Sequence, residues 1–357
     1  MFEYIPLALI AIVLLSWCID YINGFHDTAN AIATVVSTGV LPAKYAILMA
    51  AGFNFIGALV GTAVATTIAK GLADTVHMVP AVVMAALLAA IFWDLFTWWF
   101  GLPSSTSHTL MGGIAGAVAA HAGLSALNWA KLREIAVFIV ISPLTGFVVA
   151  ALLIILLLWI VRRISTHRVN FLFRKLQLIS AGAMAFTHGQ NDAQKAMGVI
   201  CLGLITYGFL HSVPGANVNV PLWVKIGCAT MMGLGTAAGG WKIIKTLGHK
   251  IAKLKPIHGF AAETAAALVL FTTAHMGIPV STTHSISGAI MGVGASMNSK
   301  AVRWGLAGNI FTAWVMTIPI SAMLSALLYF VLVWCAPSLN HAPTLKPEIK
   351  AVNQCQP

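Results

Sequence analysis

Two carboxylates stand where hydrocarbon is expected. Asp27 lies in the segment NGFHDTANA (23–31) and Asp192 in HGQNDAQKA (188–196), both enclosed by apolar sequence. An ionised carboxylate inside a membrane span costs on the order of 3 kcal/mol on insertion scales. Each must therefore meet a cation, a proton or a ligand carrying donors. Asp27 alone would read as a helix-capping residue in a loop. Superposing Asp27 on Asp192, however, also brings Gly24 onto Gly189 and Ala31 onto Ala196, so the position recurs. Asn30 is a neutral oxygen donor one helical turn beyond Asp27, and its counterpart is Lys195, a fixed ammonium that can replace a cation or hold an anion.

Two further segments pair in the same way. LPSSTSHTLMGGIAG (102–116) and IPVSTTHSISGAIMG (278–292) align Pro103 with Pro279, Ser105 with Ser281, Thr106 with Thr282, His108 with His284, Gly112 with Gly288 and Gly116 with Gly292. The proline pre-sets a turn, and hydroxyls beside free N–H groups at a helix start make a cradle for sulfate or phosphate. Ordinary N-capping accounts for one such cluster; two in register argue for a site. His108 and His284 read first as packing residues. Glu263 is another acid inside an apolar run and reads as functional, in cation coupling. Asp94, among aromatic residues, reads as functional or interfacial, and Asp20 as lying near a helix end. Trp93, Trp98 and Trp99 suggest an interfacial belt.

The elements that position these groups are apolar. Of 357 residues 59% are hydrophobic and 8% charged, with a mean hydropathy of +0.90, which excludes an aqueous globule. On the order of ten helical segments fit at about 20 residues per crossing. The apolar runs include short ones at 24–38, 104–121, 176–188 and 281–297, which read as re-entrant segments or halves of broken helices. Polar, interrupted segments at matching places in two halves point to a transporter's binding site near the midplane. Further pairs are Gly61-Thr62-Ala63 with Gly235-Thr236-Ala237, and Pro143 with Pro319. The expected organisation is a first repeat at 1–161, a basic cytoplasmic linker at 162–175, a second repeat at 176–335 and a polar tail at 336–357.

Lys and Arg number 20 against 9 Asp and Glu, but they cluster between apolar runs: Arg162, Arg163, Arg168, Arg174 and Lys175, then Lys242, Lys245, Lys250, Lys253 and Lys255. That pattern fits cytoplasmic loops and anionic lipid, with His249 and His258 on the second solvated face, and not a nucleic-acid partner. The five cysteines lack metal-like spacing and read as buried thiols with no disulfide framework. Residues 1–22 carry Glu3 in place of a basic leader and read as a retained first helix.

Together these four motifs resemble the inorganic phosphate transporter family, and the first is similar to its bacterial Pit branch of low-affinity phosphate transporters. The resemblance runs from about residue 20 to 335. It implies an all-α polytopic membrane protein with two inverted repeats, broken helices and two re-entrant helical hairpins. It also implies a protein of the cell membrane that is often a homodimer, with no cofactor. Carried onto this chain, phosphate meets Asp27, Ser104, Ser105, Thr106, Asp192, Ser281, Thr282 and Thr283, with Asn30 and Asn191 near coupling cations. The usual pattern has Asn where this chain has His26, a departure that points away from sodium and toward proton coupling. The second half has Gln194-Lys195 where the first has Ala29-Asn30.

The expected function is import of inorganic phosphate by cation-coupled symport with alternating access. The coupling ion is a proton, or the cargo a metal-phosphate complex. An anion facing two carboxylates needs protons of its own or accompanying cations. Phosphate keeps a P–OH at neutral pH and sulfate does not. The alternatives are a sodium-coupled phosphate or sulfate permease, a channel, and a membrane-embedded phosphatase using His108 or His284. The last lacks a basic residue beside either histidine to hold a phosphoryl group.

Overall fold

A computed structural model describes residues 6–71, 77–211, 216–251, 254–298, 300 and 302–341. The first half of the chain forms α1 (Leu7–Ser37), α2 (Ala43–Ala58), α3 (Ala63–Gly71), α4 (Pro80–Phe100), α5 (Thr106–Ala122) and α6 (Trp129–Val161). The second forms α7 (Thr166–Thr206), α8 (Leu222–Ala238), α9 (Trp241–Lys245), α10 (Pro256–His275), α11 (Thr282–Met297) and α12 (Trp304–Cys335). Among the described residues there is no strand. Five helices, α1, α4, α6, α10 and α12, are long and apolar enough to cross a membrane, and α2 with α3 makes a sixth candidate bent by 68°.

Several sequence expectations are corrected. The short runs at 24–38 and 176–188 are not separate segments: the first is part of one unbroken helix, α1, and the second of another, α7. Neither contains a proline, and a helix satisfies its own backbone whatever its side chains. Asp27 and Asp192 are therefore carried by continuous helices. The basic stretch 162–175 is mostly the first turns of α7, which begins at Thr166. Gly235-Thr236-Ala237 lies inside α8, so the partner of the α2–α3 break is Gly239, in positive φ (76°) like Gly61 (88°). Cys201 and Cys228 are buried, but Cys18 and Cys335 are exposed. Cys355, Lys253 and residues 342–357 of the expected tail lie outside the described residues.

The packing repeats when every helix number is advanced by six. Helix α1 lies on α8 as α7 lies on α2, and α1 on α4 as α7 on α10. The most extensive contacts join the halves: α5 packs on α12, and α11 on α6. The paired glycines explain that seam. A Cβ at Gly112 would stand 2.7 Å from the Ile318 carbonyl oxygen, and one at Gly116 2.0 Å from that of Ala322. In the other half Gly288 meets Pro143 O at 2.1 Å and Gly292 meets Phe147 O at 2.1 Å. With lipid tails as apolar as leucine, close backbone approach through small residues is what holds such helices together. Helices α5 and α11, of 17 and 16 residues, are shorter than the roughly 20 needed to span. Each follows a longer helix through a short extended turn, a helical hairpin.

Gly292→Ala should destabilise the protein by about 1 to 3 kcal/mol, because the obstructing atom is backbone. Gly308→Ala, where no atom lies within 4 Å, should be neutral or slightly stabilising. Thermal unfolding of the detergent-solubilised variants compares them directly.

Candidate functional site

Helices α1 and α7 each present a polar stripe at helical spacing. Asn23, His26, Asp27 and Asn30 line α1; His188, Asn191, Asp192 and Lys195 line α7, position for position. All eight are buried. The two helices pack together, and the start of α11 closes over them.

Thr282 joins the carboxylates: its hydroxyl lies 3.5 Å from Asp27 Oδ2 and 3.3 Å from Asp192 Oδ2. Thr283 Oγ1 lies 3.4 Å from Asp27 Oδ1 and accepts from Asn30 Nδ2 at 2.9 Å. Asn23 Nδ2 donates across to Asp192 Oδ2 at 3.3 Å. Next to Asp192, Asn191 Nδ2 reaches Oδ1 at 3.3 Å, while next to Asp27, His26 Nδ1 lies 2.7 Å from Oδ1. Lys195 Nζ donates to Asp192 Oδ1 and to Ser107 Oγ.

A chain of donors fixes the tautomer of His188. Thr236 Oγ1 donates to Met232 O at 2.8 Å, so it accepts from Asn54 Nδ2 at 2.9 Å. The Asn54 carbonyl oxygen then faces His188 Nδ1 at 2.9 Å and accepts its hydrogen. That leaves His188 Nε2 facing Asp192 Oδ2 at 3.5 Å and Asp27 Oδ2 at 4.0 Å. A lone pair opposite two carboxylate oxygens is repulsive unless a proton or a cation lies between them. Ligand atoms of Asp27, His188 and Asp192 lie within 4.8 Å of one another, a spacing a cation can bridge.

The structure gathers Asp27, Asp192, Thr282, Thr283, Asn30, Asn191 and His26. It places the first Ser/Thr cluster one step back: Ser104 Oγ contacts Thr97 at 2.7 Å and His26 Nε2 at 3.4 Å. Ser105 and Ser281 are N-caps, accepting from the backbone N–H of His108 at 3.3 Å and of His284 at 3.2 Å. Thr106 is buried at the first position of α5. Glu263 is not among these groups. It accepts from Thr34 at 2.5 Å, Gln177 at 2.9 Å and Ser180, joining α10 to α1 and α7 elsewhere.

Asp94 is fully buried and accepts from Thr109 at 3.0 Å; Asp20 is buried well inside α1. The rings of His108 and His284 are tilted at 46° with centroids 4.8 Å apart, and His284 stacks on the Trp314 ring at 3.9 Å. His258 is buried, its ring accepting from the Lys255 N–H at 3.1 Å, not on a solvated face. Asn23 and His188 were not singled out from sequence, and Ser107 was read only as a member of the hydroxyl cluster 104–107. The signal for the first two was their spacing four residues before each aspartate.

Buried opposed carboxylates on two packed helices, flanked by two Ser/Thr-headed hairpins, define a membrane carrier for a small charged solute. The phosphate transporter family matches residues 23–325, and the chain belongs to it. A "probable low-affinity inorganic phosphate transporter" of Rhizobium meliloti is 49% identical over 90% of this chain and 96% of its own length. One of the same description from Bacillus subtilis is 48% identical, again over 90% and 96%. A solved structure described as a sodium-dependent phosphate transporter superposes with a TM-score of 0.84 at 25% identity, covering 92% of this chain and all of that one. Family and relatives are transporters and not enzymes, which removes the phosphatase reading. The protein is an integral membrane protein of the cell membrane.

Loss of either cap, in Ser105→Ala or Ser281→Ala, should lower stability by about 1 kcal/mol. Thermal unfolding without added anion isolates that term from any ligand contact.

Proposed function

We propose that this chain imports inorganic phosphate by alternating access, coupled to a cation, with the proton as the first candidate. The observation that carries the reading is the pair of buried carboxylates, Asp27 and Asp192, sharing Thr282 and facing His188. Two ionised carboxylates repel a bare anion, whereas a ligand with P–OH groups donates to them. The hydroxyls of Thr282 and Thr283 and the N-terminus of α11 supply donors for the remaining phosphate oxygens. Ser104, Ser105 and Thr106 form the corresponding head of the other hairpin. In this reading Asn30 and Asn191 attend the coupling cations and Glu263 supports α1 from outside the site.

His26 makes the proton the leading coupling ion. Its ring bonds Asp27 on one side and contacts Thr97 and Ser104 on the other, linking a carboxylate to a hairpin head. An imidazole changes charge in the physiological range, and the Asn at the equivalent position in the second half does not. The second reading is sodium coupling, supported by the description of the superposable solved structure. Labelled phosphate uptake into proteoliposomes, with proton and sodium gradients imposed separately, decides between them. Uptake of sulfate in place of phosphate, or of neither, would refute the assignment.

Asp27→Asn and Asp192→Asn should each abolish uptake while the protein still inserts and unfolds cooperatively. Near-normal uptake by both would make the acids structural. Thr282→Ala should raise the phosphate dissociation constant about 10- to 150-fold, the range for one hydrogen bond to a charged group. His26→Asn keeps the hydrogen bond to Asp27 and removes the titration. Its uptake should lose the wild-type pH dependence, and an unchanged profile with an unchanged response to a proton gradient would show that His26 is structural.

A further inference from the structure

The two halves differ most at one position of the polar stripe, where Asn30 in α1 is answered by Lys195 in α7. The surroundings of both side chains obey the twofold correspondence. Lys195 Nζ contacts the carboxylate of its own helix, Asp192 Oδ1, the hydroxyl of Ser107 near the start of α5, and the backbone oxygen of Val280 at 3.5 Å. Ser107 itself donates to Val280 O at 3.2 Å, so its lone pairs are turned to the ammonium. Three N–H groups thus meet three oxygens, drawn from α7, the first hairpin and the second. Carboxylate, hydroxyl and backbone carbonyl are the ligands of a hard cation, here gathered around a covalently held one.

The equivalent oxygens in the first half are Asp27 Oδ1 and the hydroxyl of Thr283, which occupies the position matching Ser107. There the side chain at the position of Lys195 is Asn30, too short and uncharged to neutralise Asp27, whose Oδ1 also meets His26 Nδ1 at 2.7 Å. Asn30 bonds Thr283 through its nitrogen at 2.9 Å, while its own oxygen, buried, accepts no hydrogen bond. One half therefore presents an acceptor-rich gap and the other an ammonium in its place.

We infer that Lys195 is a tethered cation occupying, in the second half, the place that a mobile cation takes beside Asp27 in the first. The chain then carries its solute with one exchangeable cation fewer than a fully symmetric site requires. This rests on the cation-coupled reading above, in its second form with sodium as the mobile cation.

The test is Lys195→Asn, which restores the residue type of the first half, with Lys195→Met as a control that has the length but no oxygen. Phosphate binding in detergent and uptake in proteoliposomes are measured with sodium chloride titrated against choline chloride. Without sodium, both variants should bind phosphate about 10-fold or more weakly than the wild type. Sodium should restore Lys195→Asn and leave Lys195→Met weak, and it should raise the thermal stability of Lys195→Asn more than that of the wild type. Overturning results are a Lys195→Asn that responds to sodium no more than the wild type, or a deficit in both variants that sodium leaves alike, which makes Lys195 a direct phosphate ligand. If Lys195→Asn does not fold, Asn30→Lys decides: loss of the wild type's remaining cation dependence supports the inference, and its retention refutes it. Wild-type protein that fails to bind phosphate under the same conditions refutes the functional reading instead.

Discussion

The arrangement depends on the repulsion between two carboxylates that the fold refuses to separate. Asp27 and Asp192 belong to long helices packed side by side, and both are withdrawn from water and lipid. Taken alone, each would be strongly penalised in such a place. Every polar group nearby is arranged around that penalty: Thr282 between the two acids, Asn23 reaching across, His188 held in one tautomer by Asn54, and a basic side chain assigned to each acid. Those two basic chains are different in kind. His26 meets Asp27 with an imidazole, whereas Lys195 meets Asp192 with an amine. Two ionised carboxylates so placed would repel a bare anion, the premise of the coupled-transport reading proposed above.

Smallness elsewhere makes this polarity affordable. Gly24 lies against the backbone of Met232, Gly235 and Thr236, and Gly189 against that of Asn54, so α1 and α7 sit tightly on α8 and α2. Close backbone contact excludes lipid from the polar stripe without large side chains that would fill the centre. The same device recurs at the outer seam, where the glycines of each hairpin rest on carbonyl oxygens of the other half's last helix. Helices α6 and α12 expose long apolar faces outward and bury little else.

The sequence made the site more legible than the path of the backbone. Asp27, Asp192, Thr282 and Thr283 were recognisable because charge and hydroxyl clusters stand out in apolar sequence and because they repeat. The helix boundaries around them were not. A run of polar residues in a hydrophobic chain has the appearance of a break, yet hydrogen bonds along α1 and α7 continue through it. The polarity is a property of one face, read correctly only when Asn23, His26, Asp27 and Asn30 are placed at helical spacing. Glu263 is a different case. As an isolated buried acid it carries the same signal as Asp27, but its partners Thr34, Gln177 and Ser180 come from distant parts of the chain. The pairing of Gly61 with Gly235 failed for a simpler reason: a tripeptide match has less weight than the positive φ that Gly239 adopts.

The exchange of hairpins between halves also sets a timetable for synthesis. Helix α5 leaves the ribosome with Gly112 and Gly116 bare, and the surface they fit belongs to α12, which begins at Trp304. At roughly 5 to 20 residues per second the intervening chain takes on the order of 10 to 40 seconds to appear. For that interval the first hairpin stands in the bilayer beside an unfinished protein, its small-residue face against lipid. Helix α11, by contrast, emerges when its partner α6 is already in place. The twofold likeness of the finished molecule is therefore reached by an asymmetric route, and the last of the long helices described, α12, is the one that locks the earliest half.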